Sequence, residues 1–118
     1  RAGERDGRWA VSGERMKLTD LEPSFVGAGG EGITDASGNP VPRRDGIGIC
    51  FNCPCGCEYP VYVQFENPLD GGPPRSDASP KWKRSGETFE TLTLTPSILR
   101  MGGCKWHGYV TNGEVRAA

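Results

Sequence analysis

Residues 50–57, Cys-Phe-Asn-Cys-Pro-Cys-Gly-Cys, put four cysteines in eight positions, three of them alternating. Neighbours spaced this way are too constrained to bridge each other comfortably, because a disulfide needs both a short Cα separation and converging Cβ bonds. The chain holds five cysteines in 118 residues, an odd number and too few for a disulfide scaffold. The amino terminus is charged and lacks a signal-peptide core, and no apolar run nears the roughly 18 residues of a membrane span. The resulting expectation is a soluble, intracellular chain whose thiols stay reduced. The crowding then points to a metal.

A second half-site lies far downstream in Gly-Gly-Cys-Lys-Trp-His-Gly-Tyr, where Cys104 and His107 form a Cys-x2-His pair and His107 is the sole histidine. Thiolates with one imidazole suit Zn²⁺ in a closed tetrahedral site, and two separated ligand clusters let one ion staple two distant loops. Five candidate ligands compete for four positions: Cys53, Cys55, Cys57, Cys104 and His107. The expected set is Cys104 and His107 with two of the Cys53, Cys55 and Cys57 trio, and the choice of two stays open. Cys50 is a weaker sixth candidate, because it ends the alternation Gly-Ile-Gly-Ile-Cys and reads as a strand residue.

The rest of the chain has to supply a scaffold for that staple. A chain of this length forms one domain with a modest core, and 18 glycines and 10 prolines favour short strands and long loops. Residues 46–50 and 59–65 read as two strands of a hairpin with the cysteine knuckle at its tip. The Thr/Leu alternation of 88–99 is a clear strand, and residues 108–117 read as a terminal hairpin turning at Asn112-Gly113. Met16, Leu18 and Leu21 mark a short strand or turn, and Ser37-Gly38-Asn39-Pro40 a loop turn. Phe89, Leu94 and Trp106 are core candidates. Residues 1–15 have no core of their own and read as an N-terminal arm on a zinc-stapled β domain spanning 16–118. The fold class is therefore a small, loop-rich, all-β single domain.

Four motifs in order, Met16-Lys-Leu-Thr-Asp-Leu-Glu-Pro-Ser-Phe-Val, Cys53-Pro-Cys-Gly-Cys, Leu94-Thr-Pro-Ser and Cys104-Lys-Trp-His-Gly-Tyr-Val-Thr-Asn-Gly, carry a resemblance. The chain resembles a family of small bacterial and bacteriophage zinc-binding proteins of unknown function. The resemblance spans 16–115 and implies a compact zinc-binding β domain, found in phage and prophage genomes and sometimes beside bacterial ubiquitin-like conjugation genes. It implies metal ligands among Cys53, Cys55, Cys57, Cys104 and His107, and no established activity.

These features weigh against catalysis. A Rieske centre needs two histidines, and a zinc deaminase needs His-x-Glu with Pro-Cys-x-x-Cys; neither pattern is present. A thiolate-rich set argues for closed structural zinc, and committing the sole histidine to metal removes the usual general base. The expectation is a non-enzymatic structural or interaction module with no catalytic residues. In the phage setting it would be a capsid decoration or minor virion protein, docked on a larger assembly through its arm and loops. It would be cytoplasmic in the host or virion-associated, with no membrane partner. One alternative is nucleic-acid binding through Lys81, Trp82, Lys83 and Arg84, although a core-packed tryptophan reads better; another is a thiol or redox enzyme using the surplus cysteine. The net charge of −1 offers no global field for nucleic acid.

Overall fold

Period-two alternation of Ile, Val and Leu with polar residues sets the strands, and glycine-rich turns separate them. The computed structural model describes residues 15–57, 59–100 and 104–118. Strand β1 (Arg15–Lys17) runs into a 3-10 turn (Leu18–Leu21), followed by β2 (Ser24–Ala28), β3 (Arg44–Asn52) and β4 (Pro60–Gln64). After a long loop come β5 (Lys83–Ser85), β6 (Thr93–Leu99), β7 (His107–Thr111) and β8 (Glu114–Ala117). The strands form two antiparallel sheets, a three-stranded one ordered β2-β3-β4 and a five-stranded one ordered β1-β8-β7-β6-β5. This is the small all-β class expected from the sequence. The arm expected over 1–15 lies outside the described residues except for Arg15, which opens β1.

One hydrophobic cluster takes side chains from both sheets. Ile49, Phe51, Val61 and Val63 come from β3 and β4, and Leu94, Ile98, Val110 and Val115 from β6, β7 and β8. Leu18 and Leu21 enter the same cluster from the 3-10 turn, and Trp106 from the loop before β7. Phe25 stacks on Phe89 at 4.6 Å between ring centroids and meets Phe65 edge-on at 6.4 Å. At one edge the sheets are stitched by a parallel bridge between Phe65 and Trp82, in which the Trp82 amide donates to the Gln64 carbonyl and the Glu66 amide to the Trp82 carbonyl.

The two predicted hairpins form. β3 and β4 pair from Gly48↔Gln64 to Asn52↔Pro60, which leaves the cysteine knuckle at the tip. β7 and β8 turn at Asn112 and Gly113, both at positive φ (48° and 74°), the geometry of a type I′ turn. A Cβ at Gly113 would also lie 2.5 Å from the Glu90 carbonyl oxygen, so glycine is required there for space as well as for φ. The strand expected over 88–99 starts later, at Thr93. Residues 88–91 form a turn instead, closed by the Thr91 amide on the Thr88 carbonyl and by a 2.8 Å bond between the two hydroxyls. Local side-chain hydrogen bonds of this kind compete with a ladder.

The long 66–80 loop is tied down rather than loose. Arg44 reaches Asp70 through Nε and Nη2, each at 2.9 Å, and this bidentate bond, with the Gly72 amide, draws the Asp70 carboxyl down to about 2. The Leu69 amide donates to the Gly46 carbonyl.

Phe65 is fully buried and stands where the two sheets meet. Phe65→Ala should lower unfolding free energy by about 3–5 kcal/mol in urea titrations, the range for deleting a buried ring. A loss below about 1 kcal/mol would show that the seam is not part of the cooperative core.

Candidate active site and metal centre

The β3–β4 ladder stops at Asn52↔Pro60, and the chain between folds into a tight turn in which the Gly56 amide donates to the Cys53 carbonyl. Gly56 has φ 84°, which lets the alternating cysteines curl towards one point. Cys104 approaches from the loop before β7. Its sulfur lies 3.4 Å from that of Cys53 and 3.6 Å from that of Cys57, and the Cys53 and Cys55 sulfurs are 3.4 Å apart. All four sulfurs lie within 4.8 Å of one another. Tetrahedral coordination with bonds near 2.3 Å puts sulfurs about 3.8 Å apart, so a single small cation fits with little adjustment. All five cysteines are free, and Cys50 stays on β3 opposite Tyr62, apart from the cluster.

The thiols are not equivalent acids. Burial raises Cys53 above the ordinary thiol range, and burial followed by bonds to its sulfur neighbours raises Cys55 as well. Burial also acts against Cys104. There, however, hydrogen bonds from Cys55, Cys53, the Trp106 amide and Cys57 prevail and bring the thiol to about 7. Cys104 thus ionises before Cys53 and Cys55. Arg100 adds positive charge: it donates to the Tyr59 carbonyl at 2.7 Å and approaches the Cys57 sulfur at 4.0 Å.

His107 has a different neighbour. It is the first residue of β7, and its Nε2 lies 2.9 Å from the hydroxyl oxygen of Ser97 on β6. The structure therefore brings together Cys53, Cys55, Cys57 and Cys104, while the histidine counted with them at the sequence level pairs with a serine. Pro96, which has no amide hydrogen to donate, precedes Ser97, and the β6–β7 register shifts between Leu94 and Ile98. Such a bulge re-aims side chains, here turning Ser97 towards the imidazole. The Ser97 carbonyl accepts a 3.2 Å bond from the Trp82 indole, which pins this residue to the seam between the sheets. The Tyr109 ring lies two residues along β7, its centroid 6.3 Å from that of His107.

The basic stretch around Trp82 is largely engaged within the fold. Lys81 bonds Asp77 at 2.9 Å, and Arg84 donates to the Asn67 and Gly86 carbonyls. Trp82 is half-buried and packs on the core. Sequence reasoning missed Ser97. The Leu-Thr-Pro-Ser motif was in view, but only the fold carries that hydroxyl to the histidine.

The fold and its sites define a small all-β protein with a four-cysteine centre able to hold a metal and, beside it, a serine–histidine pair on a sheet. The chain belongs to the family described as bacterial ubiquitination-like system serine protease (BubE), whose model matches residues 31–118. No curated protein and no solved structure matches the chain. The expectation of a non-enzymatic module is corrected by this membership, because the family is described as a protease. That expectation counted His107 among the metal ligands, which left no base; in the structure its Nε2 lies 2.9 Å from the Ser97 hydroxyl oxygen. The membership also points to a component of a bacterial system; the virion and capsid setting receives no support from it.

Metal binding to this cluster must displace thiol protons. Affinity for added Zn²⁺ or Co²⁺ should weaken by more than about tenfold per pH unit as pH falls below 7, since protons there compete for the Cys104 sulfur as well as for those of Cys53 and Cys55. Cys104→Ser should lower affinity by about 100-fold or more at neutral pH, and Cys50→Ser should leave it within about twofold. Metal titrations followed by competition with a chromophoric chelator measure both. A pH-independent affinity would exclude the thiolates as ligands.

Proposed function

We propose that the chain is a serine protease acting in a bacterial ubiquitination-like system, with Ser97 as nucleophile and His107 as general base. We propose further that Cys53, Cys55, Cys57 and Cys104 hold one Zn²⁺ as a closed structural site. The observation that carries the catalytic assignment is the 2.9 Å contact between the Ser97 hydroxyl oxygen and His107 Nε2. A serine hydroxyl is a poor nucleophile until a base within hydrogen-bond reach can take its proton. The family description supplies the reaction class.

In this mechanism the Ser97 oxygen attacks the carbonyl carbon of the scissile bond while its proton passes to His107 Nε2. The tetrahedral adduct collapses as the imidazolium returns that proton to the leaving group, leaving an ester on Ser97. Water, deprotonated by the same nitrogen, then attacks the ester and regenerates the hydroxyl. Ser97 is among the half-buried residues and His107 among the exposed ones, so a substrate can reach the pair from solvent. Among the described residues no carboxylate bonds the ring, and the imidazole is oriented by its strand position and by Ser97.

The thiolate set suits zinc because four sulfurs close the coordination shell, as in structural sites, with no donor position left for a reacting water. A bound Zn²⁺ would supply folding free energy and would tether Cys104 to the Cys53–Cys57 knuckle. Cys104 lies three residues before His107, so the same clamp that stabilises the loop sets the start of β7. The Trp82 indole plays the matching part for Ser97.

A fluorophosphonate probe, which reacts only with activated serines, tests the assignment. Mass spectrometry should map the adduct to Ser97, and labelling should vanish in Ser97→Ala and drop by roughly 10³-fold or more in His107→Ala. A modified serine elsewhere, or equal labelling without the histidine, would overturn it. Trp82→Phe keeps the ring packing but removes the indole bond, worth about 1 kcal/mol. Its labelling rate should fall several-fold with folded circular dichroism retained, and an unchanged rate would remove Trp82 from the positioning of Ser97.

A further inference from the structure

The outer face of the β7–β8 hairpin holds a depression that begins beside the serine–histidine pair. An open hollow of about 450 Å³ is lined by Tyr109, Thr111, Asn112, Glu114 and Arg116. A smaller one of about 180 Å³, lined in part by Lys17, Thr19 and Glu90, shares Asn112 and Glu114 with it. Together they make one trough running from Tyr109 towards the Asn112-Gly113 turn. Cross-strand register fixes its layout. Tyr109 faces Arg116 and Thr111 faces Glu114, so each pair lies side by side on the exposed face. His107 is two residues from Tyr109 on the same strand and face, which makes Arg116 its diagonal neighbour, about 7–8 Å away between backbones.

Charge divides the trough. Among the described residues the Arg116 guanidinium has no ion-pair or hydrogen-bond partner, in contrast to those of Arg43, Arg44, Arg75, Arg84 and Arg100, each of which is bonded. At the far end Glu114 and Lys17 face each other across the β1–β8 ladder. The end near the catalytic pair therefore carries an uncommitted guanidinium next to an aromatic ring, and the distal end mixes both signs. A guanidinium is the side chain best suited to a carboxylate, which it grips with two parallel bonds. A tyrosine adds flat contact area at low entropic cost.

We propose that Arg116, with Tyr109, is a specificity-determining subsite that binds a substrate carboxylate two to three residues from the scissile bond. This rests on the Ser97–His107 reading for the location of that bond. The offset follows from the strand of Ser97 lying two strand spacings, about 9–10 Å, from that of Arg116, a span an extended peptide advancing about 3.3 Å per residue covers in about three residues. The carboxylate belongs either to an acidic side chain or to the carboxyl terminus of the substrate.

Binding and cleavage are measured separately on the full chain purified with its metal. Fluorescein-labelled decapeptide pools are offered in three forms: neutral with one Asp and an amidated end, neutral with a free carboxyl terminus, and neutral with one Lys and an amidated end. By fluorescence anisotropy, the Ser97→Ala chain should bind one or both carboxylate pools about tenfold tighter than the Lys pool. The pool that leads identifies the carboxylate as side-chain or terminal. Adding Arg116→Glu should reverse the order, whereas Arg43→Glu, an equal charge change just before β3, should leave it in place. An order unaltered by Arg116→Glu, or no preference with Arg116 intact, overturns the subsite. Cleavage of the same pools by the chain with Ser97 intact distinguishes the two readings. Absent cleavage and labelling with the binding preference preserved would sink the catalytic pair alone; cleavage indifferent to residue 116 would sink the subsite alone.

Discussion

The contact between the Cys53–Cys57 knuckle and Cys104 is the constraint on which the site depends. The knuckle sits at the tip of a hairpin in the three-stranded sheet, and Cys104 belongs to the loop that feeds β7 of the other sheet. That loop has few anchors of its own among its described residues. The Arg100 amide donates to the Trp106 carbonyl at 2.8 Å across its neck, and Trp106 is buried with its ring against Gly108. A Cβ at Gly108 would fall 2.3 Å from that ring, so the strand start and the loop are fitted to each other. Three sulfurs from one sheet meeting one from the other convert this short neck into a cross-sheet strap, and His107 emerges directly from it.

Ser97 is held by an independent route. The ladder between β6 and β7 is interrupted around Pro96, and an interrupted strand would ordinarily leave its residues free to shift. Here the Trp82 indole takes hold of the Ser97 carbonyl, and Trp82 is itself bonded through its backbone to residues 64 and 66 at the seam. His107 is thus held through sulfur from the opposite sheet, and Ser97 through an indole that precedes β5 of its own sheet and is bridged to the other at the seam. A pair assembled this way is sensitive to how the sheets sit on each other, which couples core packing to the 2.9 Å contact.

Most of the scaffold was legible because it is written in local periodicity. The β3–β4 hairpin, its cysteine tip and the Asn112-Gly113 turn all follow from alternation and from residues that accept positive φ. The start of β6 was not legible: threonines at 88 and 91 extend the alternating pattern by eye, yet they close a turn on each other. His107 was counted with the ligands because Cys-x2-His is a common ligand spacing, whereas the structure sets it beside Ser97. Three alternating cysteines plus Cys104 already make four donors, and that count, available from the sequence, leaves the histidine surplus. Ser97 carries no such signal, since nothing local distinguishes it from other serines near prolines. Its meeting with residue 107 depends on strand pairing ten residues apart and on a register shift within it.

A serine–histidine pair with an exposed imidazole raises the question of how it gains strength. A hydrogen bond and a developing charge are both weakened by water, and their energies rise as solvent is excluded. The exposed residues next to the pair are Leu99, which faces His107 across the β6–β7 ladder, and Tyr109, two positions along the strand. Both are large and apolar enough to be covered favourably by a substrate chain, and His107 beside them is itself exposed. In the proposed mechanism the substrate therefore completes the enclosure: laying an extended segment over Leu99 and Tyr109 strips water from the imidazole as the scissile carbonyl comes to the serine. An enzyme built this way gains power only on chains long enough to cover both flanks, so discrimination among substrates and catalysis draw on the same contacts.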